Sequence, residues 1–165
     1  MNLYKLKIEE FSLKNKIYNI KLEKIIIHSG VAKNNKDKIF IKNVFDSIEY
    51  ISGQKPVFSK IKKSISNFKS KIGEIAGVYT TLRKIKMWEF YHKLICVVIP
   101  RIKEFKGINE TSIDRFGNIH FGITDISVFP DFYKEFNIGF NISIIVKNLK
   151  NNFKNFYKII NFPIK

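Results

Sequence analysis

The chain has a single cysteine, Cys96, so no internal disulfide can staple it. Cys96 lies in the apolar run Leu94–Ile99, where a buried thiol behaving as a small hydrophobe is expected rather than a reactive one. That run of six residues is the longest of its kind, far short of the roughly 20 needed to span a bilayer. The opening segment MNLYKLKIEEFSLKNK has no arginine, carries Glu9 and Glu10, and has neither the Ala/Ser content of a transit peptide nor a signal-peptide core. The protein is therefore expected to be soluble and made where it works. Chemistry-bearing constellations are missing too. His28, His92 and His120 are widely spaced, with no cysteine or acidic partner at metal-ligand spacing. No phosphate-cradling glycine loop, nucleophile elbow or paired-carboxylate motif occurs, and Glu9–Glu10, Asp125 and Asp131 read as solvated charges. No catalytic residue, metal site or cofactor is expected, and the chain does not read as an enzyme.

Acidic residues are also missing from Ile51 through Gly73, where six lysines fall: Lys55, Lys60, Lys62, Lys63, Lys69 and Lys71. The net charge of +16 is concentrated accordingly: residues 1–50 carry +4, residues 51–106 carry +10, and residues 107–165 carry +2. Such a stretch repels itself unless it is solvated or meets a polyanion, and the interleaved Val57, Phe58, Ile61, Ile65 and Phe68 argue that it is folded rather than a loose tail. Folded lysine beside apolar residues points to an RNA-binding surface, against the plainer reading of a solubilising face. Lysine outnumbers arginine 27 to 3, isoleucine reaches 30, and alanine appears twice, preferences that follow AT-rich codons rather than chemistry.

At 165 residues the chain reads as one domain, 1–165, with residues 1–21 a short N-terminal extension or helix. Leu22–Ser29 predicts a buried strand from its β-branched content. Ile41, Val44, Phe45, Ile48 and Ile51 recur at helical spacing, with Asn34 or Asn35 near the start and Gly53 at the stop. Val57–Lys60 and Ser64–Lys69 read as extended, Lys69–Gly77 as a loop, and Val78–Arg83 as the returning strand. A helix over Lys84–Val98 has Met87, Trp88, Tyr91, Leu94, Ile95 and Val98 on one face and ends at Pro100. Trp88 and Tyr91 are expected to pack in the core rather than stack on bases. Gly107–Gly117 reads as polar loop, and Ile119–Thr124 and Ile126–Phe129 as strands. Phe140, Ile142, Ile144 and Val146 alternate with Asn141, Ser143, Ile145 and Lys147, the period of a strand with one buried face, and a last helix carries Leu149, Phe153, Phe156, Tyr157 and Ile160. The order predicts an α+β fold: a mainly antiparallel sheet with helices packed on one face, the other face free for RNA, and a protruding basic loop.

A resemblance rests on particular words. GQKPV (Gly53–Val57), KKSI (Lys62–Ile65), Phe68–Lys69, the glycines Gly73 and Gly77, and TLR (Thr81–Arg83) come first; PRIKEFKGI (Pro100–Ile108), SIDRFGN (Ser112–Asn118), VFPDF (Val128–Phe132) and GFNISIIV (Gly139–Val146) follow. Together the chain resembles the large-subunit ribosomal protein L-five family over about Leu22–Pro163. The resemblance implies a structural protein of the large ribosomal subunit that binds 5S rRNA, or equivalent rRNA, in the central protuberance. It implicates His28, Gln54, Lys55, Lys60, Lys62, Lys63, Thr81 and Arg83 in rRNA binding. It also implies a P-site tRNA contact at Lys69, Lys71, Gly73 and Gly77, and an intersubunit bridge to a protein of the small-subunit head at Tyr133, Lys134, Glu135, Phe136 and Asn137, beside neighbouring large-subunit proteins. Departures are visible: His28 stands where the family has Asn, Lys84 where it has Gly after TLR, and the usual prolines are absent at Leu22–Glu23 and at Glu74-Ile75-Ala76. These departures imply an organellar copy in a mitochondrial ribosome, with a plastid or the cytoplasm of an AT-rich bacterium as alternatives. A reading from another class is a free-standing basic RNA-binding protein or RNA chaperone.

Overall fold

A computed structural model describes residues 3–14, 20–34, 37–68, 70–130, 138–149 and 153–165. The described elements are α1 (Leu3–Lys14), β1 (Lys21–Gly30), α2 (Lys38–Ser52), β2 (Val57–Lys60), β3 (Ile75–Leu82), α3 (Lys84–Lys93), a π turn (Leu94–Val98), α4 (Ile99–Arg101), β4 (Ile119–Ile123), β5 (Phe140–Lys147) and α5 (Phe153–Ile159). The strands form one sheet in the order β2-β3-β1-β5-β4, with every neighbouring pair antiparallel. The architecture is the expected α+β arrangement.

Strand alternation assigns one face of this sheet to the core. Ile25 and Ile27 of β1, Val78 and Leu82 of β3, Ile119 of β4 and Ile142 and Ile144 of β5 are each fully buried, and they share one core with Val44 and Ile48 of α2, Tyr91 of α3 and Leu94 of the π turn. Burying a side chain of this size contributes about 1.5–3 kcal/mol, so these positions dominate the favourable side of folding. α1 joins the same core: Tyr4 meets Tyr91 edge-on at 5.1 Å, and Phe11 meets Phe156 of α5 at 5.7 Å. Two buried tyrosines tie down the C-terminal segment, since Tyr91 Oη donates to Ile160 O and Tyr157 Oη to Gly117 O. Trp88 is half-buried and stacks parallel to Tyr4 with centroids 6.3 Å apart, so it serves packing on the helical side of the sheet.

Several local expectations shift for identifiable reasons. α2 is capped by Asp37, whose carboxylate accepts from Ile39 N and Phe40 N, rather than by Asn34 or Asn35; Gly53 ends it in the left-handed region at φ 61°. The helix from Lys84 runs on through Pro100 to Arg101. The π turn has Ile99 N reaching back to Leu94 O, which widens the ladder just where Pro100 has no N–H to donate, and Ile99 stays helical at φ −58°, ψ −45°. Ile126–Val128 is a 3-10 turn rather than a strand, because Asp125 accepts from both Ser127 N and Ser127 Oγ and turns the chain. Cys96 is exposed, with Sγ 3.6 Å from His92 Nε2, because the π turn rotates it off the buried stripe.

Candidate nucleic-acid interface

The described helices cover one face of the sheet, and alternation sends a different set of side chains to the other. One row across it consists of Val57, Tyr79, His28, Asn141 and Gly122, and the next of Thr81, Ile26, Ser143 and His120. Most of these positions are exposed or half-buried, so the uncovered face is polar and open. Its side chains are organised by hydrogen bonds. Asn141 Nδ2 lies 3.4 Å from His28 Nε2, and His120 Nδ1 lies 2.9 Å from Ser143 Oγ. His120 Nε2 also lies 3.6 Å from Asp114 Oδ2. Histidines far apart in sequence therefore come onto one face, separated by a single strand. Burial, and then the nearby His120, hold His28 below the ordinary histidine value, which favours neutral imidazole. Burial pushes the Asp114 carboxyl up, but hydrogen bonds from the Asn118 side chain and backbone, Phe116 N and His120 outweigh it, and the group stays below the usual carboxylate value.

The lysines border this face. Lys55, Lys60, Lys62, Lys63 and Lys71 are all exposed, on β2 and the segments that flank it. The long β2–β3 connection begins after Lys60 and ends at Glu74, because β3 starts at Ile75, three residues before the expected Val78. It is closed on itself: Ile61 N donates to Glu74 O and Gly73 N to Ile61 O, Ile65 and Ser70 exchange backbone bonds, and Ile72 N donates to Ser64 Oγ. Gly73 sits at its base at φ 89°, a region that favours glycine. Gly77 is not in the loop. It lies inside β3 opposite Gly30, and a Cβ there would come within 2.9 Å of Ser29 O, so the close approach of β1 and β3 requires glycine. Lys69 and Tyr133, Lys134, Glu135, Phe136 and Asn137 lie outside the described residues.

The remaining sequence-predicted residues are near this border but partly engaged within the fold. Gln54 is half-buried and donates through Nε2 to Thr81 O, pinning the end of α2 to β3, so one of its donors is committed to the protein. Thr81 stands on the open face, half-buried. Arg83 is exposed and lies 3.7 Å from Glu23 Oε1. Beside it, Lys86 Nζ donates to Gly53 O, and Lys84 is held at φ 54°. Among the described residues, no three His, Cys, Asp or Glu side chains converge to hold a metal ion, and no helix is long and apolar enough to cross a membrane.

Comparison with known proteins decides the family. The pattern that defines "Ribosomal protein L5" matches residues 15–71, and the pattern of the C-terminal part of the same ribosomal family matches residues 75–163. The chain belongs to the ribosomal protein L5 family. Similar relatives are described as large ribosomal subunit protein uL5. The Wigglesworthia glossinidia brevipalpis protein is 43% identical over 129 residues, covering 78% of this chain and 72% of the relative. That of Blochmanniella floridana is 41% identical over 124 residues, covering 75% of this chain and 65% of the relative. That of Campylobacter hominis is 40% identical over 124 residues, covering 75% and 68%. The chain thus spans about two thirds of the length of the curated relatives it matches.

Within this L5-family fold, sequence reasoning missed Tyr79, Asn141, Ser143 and His120 as members of the open face. For Asn141 and Ser143 the signal was present in the alternation of β5. For Tyr79 and His120 it was not, because only the register of β3 on β1 and of β4 on β5 brings them there. Lys84 gains an explanation as well: a residue held at φ 54° occupies the place where the family resemblance leads one to expect glycine.

Proposed function

We propose that the chain is a structural constituent of the large ribosomal subunit that holds rRNA, 5S rRNA where the ribosome has it, on the open sheet face and its lysine border. The carrying observation is a polar sheet face that the described helices leave uncovered, with five exposed lysines, without an intervening acid, on its edge strand β2 and the segments that flank it. Lysines neutralise phosphates, while His28, Asn141, Thr81 and Ser143 offer hydrogen bonds to ribose or base edges. Co-sedimentation tests it: the chain should stay with large subunits in salt that strips loosely bound protein. Release at that salt would favour a free-standing RNA chaperone, which the relatives' shared description does not support.

The finer assignments follow the family resemblance. The self-closed loop carrying Lys71 and Gly73, with Lys69, contacts P-site tRNA, and Tyr133–Asn137 meet a protein of the small-subunit head. Exposed basic charge in the loop that joins β2 to β3 supports the first. Replacing residues 64–71 by a short neutral turn leaves Ile61 paired with Gly73 and Glu74, so assembly should persist while tRNA dissociates faster from purified ribosomes. Wild-type dissociation from normally assembled ribosomes would remove the tRNA role. The AT-rich codon signature and the departures at His28 and Lys84 support a mitochondrial ribosome; relatives named from bacteria keep the cytoplasm of an AT-rich bacterium in play. Fractionation of the source cell, with the chain followed by antibody, distinguishes the two.

A further inference from the structure

The open face has one interruption. Ser59 of β2, Gly77 of β3 and Gly30 of β1 stand abreast, so across three strands the only side chain is a single hydroxymethyl group. The consequence is a hollow in the sheet surface, and Ile26, His28 and Tyr79 form its far wall. Tyr79 is 38% exposed, one row along from the glycine pair and next to His28 across the β1–β3 ladder. Among the described residues, none that lines the hollow is a lysine or arginine, yet β2 and its following loop carry Lys60, Lys62 and Lys63 immediately beyond Ser59.

This combination selects its occupant. A phosphate would stay on the lysines, since the hollow offers it no cation. The bases of a paired stem are stacked inside the helix and cannot enter. An unpaired base swung out of an RNA backbone has a flat apolar face for the aromatic ring and a polar edge for the imidazole. We propose that the Gly30–Gly77 hollow receives one unpaired nucleobase of the bound RNA, with Tyr79 as its stacking platform and His28 as the hydrogen-bonding partner of its edge. The proposal rests on the RNA-binding reading above and is narrower than it. The state of His28 suits this role. Burial and the nearby His120 favour the neutral imidazole, and in the tautomer whose Nε2 accepts from Asn141 Nδ2, Nδ1 carries the proton and can donate to a carbonyl or ring nitrogen of the base.

The test measures binding of the full chain, by fluorescence anisotropy at one salt concentration, to two fluorescein-labelled RNA hairpins sharing one stem. One is fully paired and the other carries a single bulged adenosine. Wild type should prefer the bulged hairpin by about tenfold, and Tyr79→Ala should reduce the ratio of the two affinities to below about twofold. Gly30→Val should do the same by filling the hollow, because a Cβ at Gly30 meets no atom within 4 Å and the fold tolerates it. Tyr79→Phe keeps the ring and should keep the preference. Equal affinity of wild type for the two hairpins, or a Tyr79→Ala variant that weakens both in proportion, overturns the base pocket while leaving lysine-mediated RNA binding intact. Failure of wild type to bind either hairpin overturns both readings.

Discussion

Replacing Lys60, Lys62 and Lys63 together by alanine should change how RNA affinity responds to salt more than it changes anything else. Five described lysines stand exposed on the border of the open face: Lys55, Lys60, Lys62, Lys63 and Lys71. Arg83 is left out of the count because Glu23 already lies 3.7 Å from its guanidinium. If each of the five neutralises one phosphate, the logarithmic salt slope is about −4.5, and affinity falls about 500-fold between 50 and 200 mM salt. With three removed the slope drops to about −1.8, and the same change of salt costs only about 12-fold. All three side chains are exposed, so the melting temperature should stay at the wild-type value. Anisotropy titrations with a fixed rRNA fragment at four salt concentrations measure the slope directly. A triple variant with the wild-type slope, or a wild type indifferent to salt, would refute the reasoning that places phosphates on this border.

Further predictions concern the fold that presents this face. Thr80 Oγ1 is buried on the core side of β3 with no hydrogen-bond partner, so Thr80→Val should raise unfolding free energy by about 1 to 2 kcal/mol in urea titrations; no gain would mean the hydroxyl is satisfied. Lys84 is held at φ 54°, where an L side chain costs about 1–2 kcal/mol, so Lys84→Gly should stabilise by a net ~0.5 to 1 kcal/mol after the greater chain entropy of glycine, measured the same way. Asp114 and Asp125 both sit below their ordinary value of 3.8, so the native state holds fewer protons than the unfolded chain as pH falls. The stability they contribute is present above that value and lost as pH drops through their native values, so the urea midpoint should fall from pH 5 downward, and less steeply in Asp114→Asn. An unchanged pH dependence in that variant would dissociate Asp114 from the acid limb.

Much of this molecule was local enough to read along the chain. The period-2 alternation of β5, the 3.6-period stripe of α2 with its stop at Gly53, and the acid-free lysine run each depend only on neighbours in sequence, because strand pleat, helix pitch and charge repulsion act over a few residues. The covered and open faces of β5 follow from that alternation alone. Long-range pairing decided the rest. The register of β3 on β1 put Tyr79 beside His28 and set Gly77 opposite Gly30, so a glycine expected in a loop became the floor of a hollow inside a strand. The register of β4 on β5 brought His120 to the face of His28, although 92 positions separate them in sequence. Pro100 looked like a helix stop because the residue before proline avoids the helical region, yet tertiary packing carries the helix through it on a π turn and turns Cys96 out to solvent. Composition and periodicity determined that there is a lysine-bordered sheet with one buried face. Which polar atoms meet on the other face follows from hydrogen-bond register between distant strands, a property that no single segment carries.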